Sequence, residues 1–126
     1  MRLLVIEDET SLREQLGGQL RAAGYAVDSA ANGKDGLLHG REYPVDLAIV
    51  DLGLPDISGM ELLRHLKADA RTEGVPVVVV SADALAQQID AAFEAGCAHY
   101  LTKPVNVAEL LAVVDDLLEQ MDTQFG

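Results

Sequence analysis

Three carboxylates follow one another at Glu7, Asp8 and Glu9, directly after the apolar run Leu3–Ile6. A fourth acid, Asp51, comes at the end of the run Leu47–Val50. A hydroxyl, Ser81, follows Val77–Val80, and Thr102, Lys103 and Pro104 follow His99–Leu101. Carboxylates brought together repel, and a proton or a shared cation relieves the conflict. Mg²⁺ suits such a group, because it takes one or two carboxylates and leaves room for a phosphate oxygen. A lysine can pair with a phosphate or an acid, and a serine hydroxyl can donate to a phosphate oxygen. These are the parts of a phosphoryl-transfer site, where catalysis is chiefly positioning and charge neutralisation. If one carboxylate is itself the nucleophile, the product is an aspartyl phosphate.

Such chemistry requires the four segments to end on one edge. The runs Leu3–Ile6, Ala26–Ser29, Asp46–Val50, Pro76–Val80 and His99–Leu101 have strand length. Two of them, Leu47–Val50 and Val77–Val80, lack polar alternation, as strands covered on both faces do. Helical periods lie between. Leu12, Leu16 and Leu20 fall on one face of a first helix, which Gly24 ends. Gly17 and Gly18 interrupt that helix, at up to about 1 kcal/mol each. A weak second helix covers Lys34–Gly40, after a turn at Asn32-Gly33. A third starts near Ser58 and carries Met60, Leu63 and Leu66. A fourth carries Leu85, Ile89, Ala92 and Phe93 and stops at Gly96. The fifth carries Val107, Leu110, Leu111, Val114, Leu118 and Met121. Alternating strands and helices predict an α/β, doubly wound parallel sheet. In such a sheet ligands sit at the carboxyl ends of the strands, where strand order reverses. That is where the acids, the serine and the lysine fall.

The 126 residues make one domain, 1–121, with an expected frayed tail at 122–126. The formal net charge of −12 argues against a nucleic-acid surface; it is compatible with cations, with a positively charged partner, or with acidity that only keeps the protein soluble. Cys97 is the single cysteine, so no internal disulfide forms, and a reducing compartment is expected. The N-terminal run reads as neither a signal peptide nor a membrane span, so a soluble, cytoplasmic protein is expected. His39, His65 and His99 make no metal-ligand pattern. Lys34, Arg41, Arg64 and Lys67 read as solvated charge. Glu9 belongs to the solvated start of the first helix rather than to the metal group.

The set E-D at 7–8, D-L-G-L-P at 51–55, S-A at 81–82 and Y-L-T-K-P at 100–104 resembles the receiver domain of two-component response regulators. The likeness runs from Leu3 to about Glu119. It implies a flavodoxin-like five-stranded sheet of order 2-1-3-4-5 with five helices. It also implies roles. Asp51 would accept a phosphoryl group from a phosphohistidine on a sensor histidine kinase or histidine phosphotransfer protein. Glu7, Asp8, Asp51 and the Gly53 backbone carbonyl would hold Mg²⁺. Ser81 would be the switch hydroxyl, with helix capping as its plainer role. Tyr100 would be the switch aromatic, and Lys103 would pair with the phosphate. The Lys103–Pro104 bond would be cis. Gly53 and Asp83 would flank the path of attacking water and tune the phosphoryl lifetime, which is expected to be measurable but not extreme. Signalling would pass through the face of the fourth helix, fifth strand and fifth helix. The protein would be no free-standing enzyme, assisting only its own phosphorylation and dephosphorylation.

The first half, with V-D-S-A at 27–30, resembles receivers of the winged-helix transcription-factor class. The second half, with S-A-D-A-L and Y-L-T-K-P-V-N-V, resembles receivers of hybrid kinases, as an unusual, recombined or engineered receiver would. Ala98-His99 precede Tyr100, and the fourth and fifth helices lack bases. The salt-bridged dimer of the first class is therefore not expected; a monomer or weak dimer is. No output segment follows Glu119, so action through a partner, or a piece of a longer chain, is expected. Alternatives are an unphosphorylated scaffold, a nucleotide-binding domain and a Mg²⁺-dependent phosphatase of the haloacid-dehalogenase type. The scaffold would lack site residues, and here all are present. The nucleotide domain needs a Gly-rich loop after the first strand, where acids stand. The phosphatase needs an acid at position 53, which is Gly.

Overall fold

The computed structural model describes residues 1–125. Five strands alternate with five helices: β1 Arg2–Ile6, α1 Thr10–Ala22, β2 Ala26–Ala30, α2 Gly33–Glu42, β3 Leu47–Asp51, α3 Gly59–Ala68, β4 Val77–Ser81, α4 Ala86–Glu94, β5 His99–Thr102 and α5 Val107–Phe125. All strand pairs are parallel, in the order β2-β1-β3-β4-β5. Both the sheet and its order match expectation. The expected tail at 122–126 falls in the last turn of α5 and on Gly126, which lies outside the described residues.

Alternate side chains along each strand feed two cores, because successive Cβ atoms point to opposite faces. Leu3, Val5, Leu47, Ile49, Val78, Val80 and Leu101 pack under α1 and α5, against Leu16, Leu20, Leu110, Val114 and Leu118. Leu4, Ile6, Ala48, Val50, Val77 and Val79 pack under the other helices, against Leu62, Leu63, Leu66 and Ala92. Every residue of β3 and β4 is buried, including the polar last residues Asp51 and Ser81. The apolar runs are therefore anchors that fix where those two side chains stand.

Helix ends follow local chemistry. Asn32 and Ser58 accept from amides three residues on and cap α2 and α3. Gly24 and Gly96 take φ +102° and +110°, the left-handed region that ends α1 and α4. Ser81 does not cap α4; the cap position is Leu85, and Ser81 Oγ accepts from Asp83 N at 3.1 Å.

Two expectations change. In α4, Ala92 faces the core, which turns Phe93 about 100° away on a 3.6-residue period. Phe93 is 46% exposed and Leu85, before the first turn, 68%. Lys67 and Arg41 are also not free solvated charges. Lys67 Nζ donates to the carbonyls of Val75 (2.8 Å) and Glu73 (3.2 Å), and Arg41 Nε pairs with Asp69 at 3.0 Å.

Candidate functional site

Register carries the ends of four strands to one edge. Ile6 lies beside Ala30 and Val50, Asp51 beside Val80, and Ser81 beside Thr102. The next residue of β1 is Glu7 and the next of β5 is Lys103. Strand order reverses between β1 and β3, so the crevice opens between the acids of β1 and Asp51. Asp8, Asp51, Gly53, Ser81, Asp83 and Lys103 line one cleft there, together with Glu9 and Gln88.

One carboxylate oxygen from each of Glu7, Asp8 and Asp51 lies within 4.8 Å of the others. Among the described residues this is the acidic group that could hold a metal, and Glu9 is not part of it. Glu7 and Asp51 are buried, and Asp8 is exposed. Lys103 Nζ sits 3.1 Å from Glu7 Oε1 and 3.3 Å from Asp51 Oδ2, across a cis Lys103–Pro104 bond. The Gly53 amide donates to Asp51 Oδ1 at 3.0 Å. Both oxygens of Asp51 are thus held. A Cβ at Gly53 would stand 3.7 Å from Asp51 Oδ1, so the absent side chain leaves the acid open.

Burial raises the Glu7 pKa to about 7; the Glu9 amide and Lys103 pull it down, and Asp51 pushes it up. Burial also works against the Asp51 anion, but the Gly53 amide, Glu7 and Lys103 outweigh it and hold Asp51 below the usual range. Burial lowers the Lys103 pKa, and its two acids more than restore it. The pair therefore favours one proton, on Glu7, when no metal ion is bound. Glu7 Oε1 is buried without a hydrogen bond, with the Lys103 ammonium 3.1 Å away. An orphaned carboxyl oxygen beside two further oxygen donors fits a hard cation, which would take the place of the proton.

Tyr100 is half-buried, and its hydroxyl donates to the Asp83 carbonyl at 2.7 Å. Asp83 in turn accepts from Leu85 N through Oδ1 at 2.8 Å. Ser81, Asp83 and Tyr100 thus form one linked chain from β4 to β5.

Sequence reasoning missed two supports. Arg13 donates to the carbonyls of Glu7 (2.8 Å) and Asp8 (3.2 Å). Asp56, past Asp51, accepts from the amides of Gly33 and Lys34 at 2.8 Å and pins the β3–α3 loop to the start of α2. Burial works against the Asp56 anion, but those amides, with those of Ile57 and Asp56 itself, hold it down at about 2. Arg13 reaches back five and six residues to backbone atoms, and Asp56 reaches across 22 residues or more.

Residues 3–115 match the response regulator receiver domain. The chain belongs to that family. It is 36% identical to the two-component response regulator PhoP of Pseudomonas aeruginosa, over 95% of this chain and 52% of the relative. It is 35% identical to the DNA-binding dual master transcriptional regulator RpaA of Synechocystis, over 96% of this chain and 50% of the relative. The chain thus spans about half the length of these curated relatives. A CheY-like receiver domain protein from Methanospirillum hungatei superposes with TM-score 0.90 at 30% identity, covering 98% of this chain and 97% of that one. The receiver domain of sensor histidine kinase PA1611 from Pseudomonas aeruginosa, solved with magnesium in its active-site cleft, gives TM-score 0.86 at 26% identity, covering 94% and 97%. No helix among the described residues is long and apolar enough to cross a membrane.

Proposed function

We propose that this chain is a phosphorylation-controlled switch that accepts a phosphoryl group on Asp51. One observation carries the reading. Asp51 is buried at a strand end, held by the Gly53 amide and Lys103, with Glu7 and Asp8 oxygens within 4.8 Å.

The donor is a phosphohistidine of a sensor histidine kinase or histidine phosphotransfer protein. An Asp51 oxygen attacks phosphorus, the new O–P bond forms as the N–P bond breaks, and the imidazole leaves with its electron pair. Asp51 stays ionised for this attack because its partners hold its pKa low. Lys103 balances charge on the incoming oxygens, and the Gly53 amide orients the carboxylate. Mg²⁺, bound by Glu7, Asp8, Asp51 and the Gly53 carbonyl, would neutralise phosphoryl charge.

Once phosphate stands at Asp51, the Ser81 hydroxyl can leave Asp83 N and donate to it. That movement loosens the loop on which the Tyr100 hydroxyl rests. The face of α4, β5 and α5 then reports the phosphorylated state. The chain assists only its own phosphorylation and dephosphorylation.

The test is phosphotransfer from a purified, phosphorylated histidine phosphotransfer domain. Label is expected on the wild type and not on Asp51→Asn. Asp83 is held by Leu85 N, and Gly53 has no side chain, so neither blocks water fully. Phosphoryl decay is expected over minutes to hours; persistence beyond about a day at neutral pH contradicts this part. Steady turnover of a phosphomonoester would instead favour a phosphatase.

A further inference from the structure

The Asp8–Glu9 peptide unit is gripped at both ends. Its carbonyl accepts from Arg13 Nη1 at 3.2 Å, and its N–H donates to Glu7 Oε2 at 3.1 Å. The same guanidinium nitrogen lies 2.8 Å from the preceding carbonyl, that of Glu7, and Nη2 lies 3.4 Å from Thr10 Oγ1. In a trans peptide unit the carbonyl and the N–H point in opposite directions, so drawing the Asp8 carbonyl toward Arg13 turns the Glu9 N–H to the other side. Here that other side is the acid cluster. We infer that Arg13 is a positioning residue for the divalent-cation site: it sets the plane of the Asp8–Glu9 peptide and thereby aims both Glu7 and Asp8.

The two acids depend on that plane in different ways. Glu7 Oε2 takes its backbone hydrogen bond from this amide. The Asp8 carboxylate is exposed and makes no hydrogen bond among the described residues, so only its backbone orients it. The helix that follows adds little support, since Glu9 at its cap position makes no side-chain capping bond. Arg13 is therefore the fastener between the first turn of α1 and the metal-binding loop. Partners one step removed from a metal commonly change affinity by about 10- to 100-fold when removed. This inference rests on the Mg²⁺ reading above, and it concerns backbone orientation rather than charge at the ion.

Arg21 supplies the control. It lies on the same helix and also donates to a backbone carbonyl, that of Val27 at 2.9 Å, but far from the site. Mg²⁺ affinity is read from the rise in melting temperature across a Mg²⁺ titration. Arg13→Gln is expected to weaken affinity about tenfold, Arg13→Lys by less, and Arg21→Gln not at all, whatever each does to basal stability. Amide exchange at Glu9, followed without metal, is expected to quicken in Arg13→Gln and stay slow in Arg21→Gln. Unchanged Mg²⁺ affinity in Arg13→Gln, or equal loss in Arg21→Gln, overturns the inference. So does an unchanged Glu9 exchange rate, even if the wild type binds no Mg²⁺. Failure of the wild type to bind Mg²⁺ would sink the Mg²⁺ reading itself.

Discussion

Burial works against the charged forms of both Glu7 and Asp51, and the two settle differently. Asp51 keeps its charge through the Gly53 amide and Lys103, while Glu7 is raised to about 7. The sign follows directly. The folded state binds the Glu7 proton more tightly than the unfolded chain, whose carboxyl has the ordinary value of 4.5. This contribution is full below about pH 4.5 and is lost as pH rises through about 7. Without metal, melting temperature is expected to fall between pH 5 and 7.5 in the wild type and less in Glu7→Gln. Saturating Mg²⁺ should flatten the wild-type slope. Equal slopes for the two metal-free proteins would show that Glu7 does not hold the proton. Much of this site was legible from residue type and spacing: Glu7, Asp8, Asp51, Ser81 and Lys103 all fall where strands end. Arg13 and Asp56 were not, because each acts on backbone atoms of another segment, and side-chain-to-backbone bonds leave no spacing rule.

At the scale of elements, the apolar runs predicted all five strands, because β3 and β4 are buried on both faces and tolerate no polar alternation. The α4 stripe misled, since Ala92 alone is buried there and an Ala gives little hydrophobic signal. The glycines of α1 and α3 show what the sequence could not. At Gly18 a Cβ would meet nothing within 4 Å, so the residue has no packing reason in this fold. Gly18→Ala is expected to stabilise by up to about 1 kcal/mol, read as a higher denaturation midpoint. At Gly59 a Cβ would lie 2.3 Å from Leu52 Cα and 2.6 Å from the Asp51 carbonyl oxygen. Backbone must move there, beside the phosphoacceptor. Gly59→Ala is expected to cost about 1–3 kcal/mol and to slow phosphoryl uptake. Uptake at the wild-type rate would mean that the β3–α3 loop does not position Asp51.

The whole molecule is electrically lopsided. Every Lys and Arg except Lys103 lies at or before Arg71, and Lys103 is held by Glu7 and Asp51. Where α4 and α5 face solvent their charges are acidic, with Asp90, Glu94 and Asp116 exposed among the described residues, and the apolar Phe93 of α4 is exposed as well. Two copies meeting through that face would oppose like charges, which disfavours association until salt screens them. Sedimentation is expected to show a monomer at low salt, with any self-association rising as salt is added. Dimerisation that weakens with salt would require attractive ion pairs that this face does not offer.

The central claim is that Asp51 is a phosphoacceptor served by a divalent cation. Incubation with acetyl phosphate and Mg²⁺, followed by intact mass, tests it most directly. One added phosphoryl group is expected on the wild type, none on Asp51→Asn, and none on the wild type with EDTA. An adduct that persists in Asp51→Asn, or no adduct on wild type with Mg²⁺ present, would contradict the account.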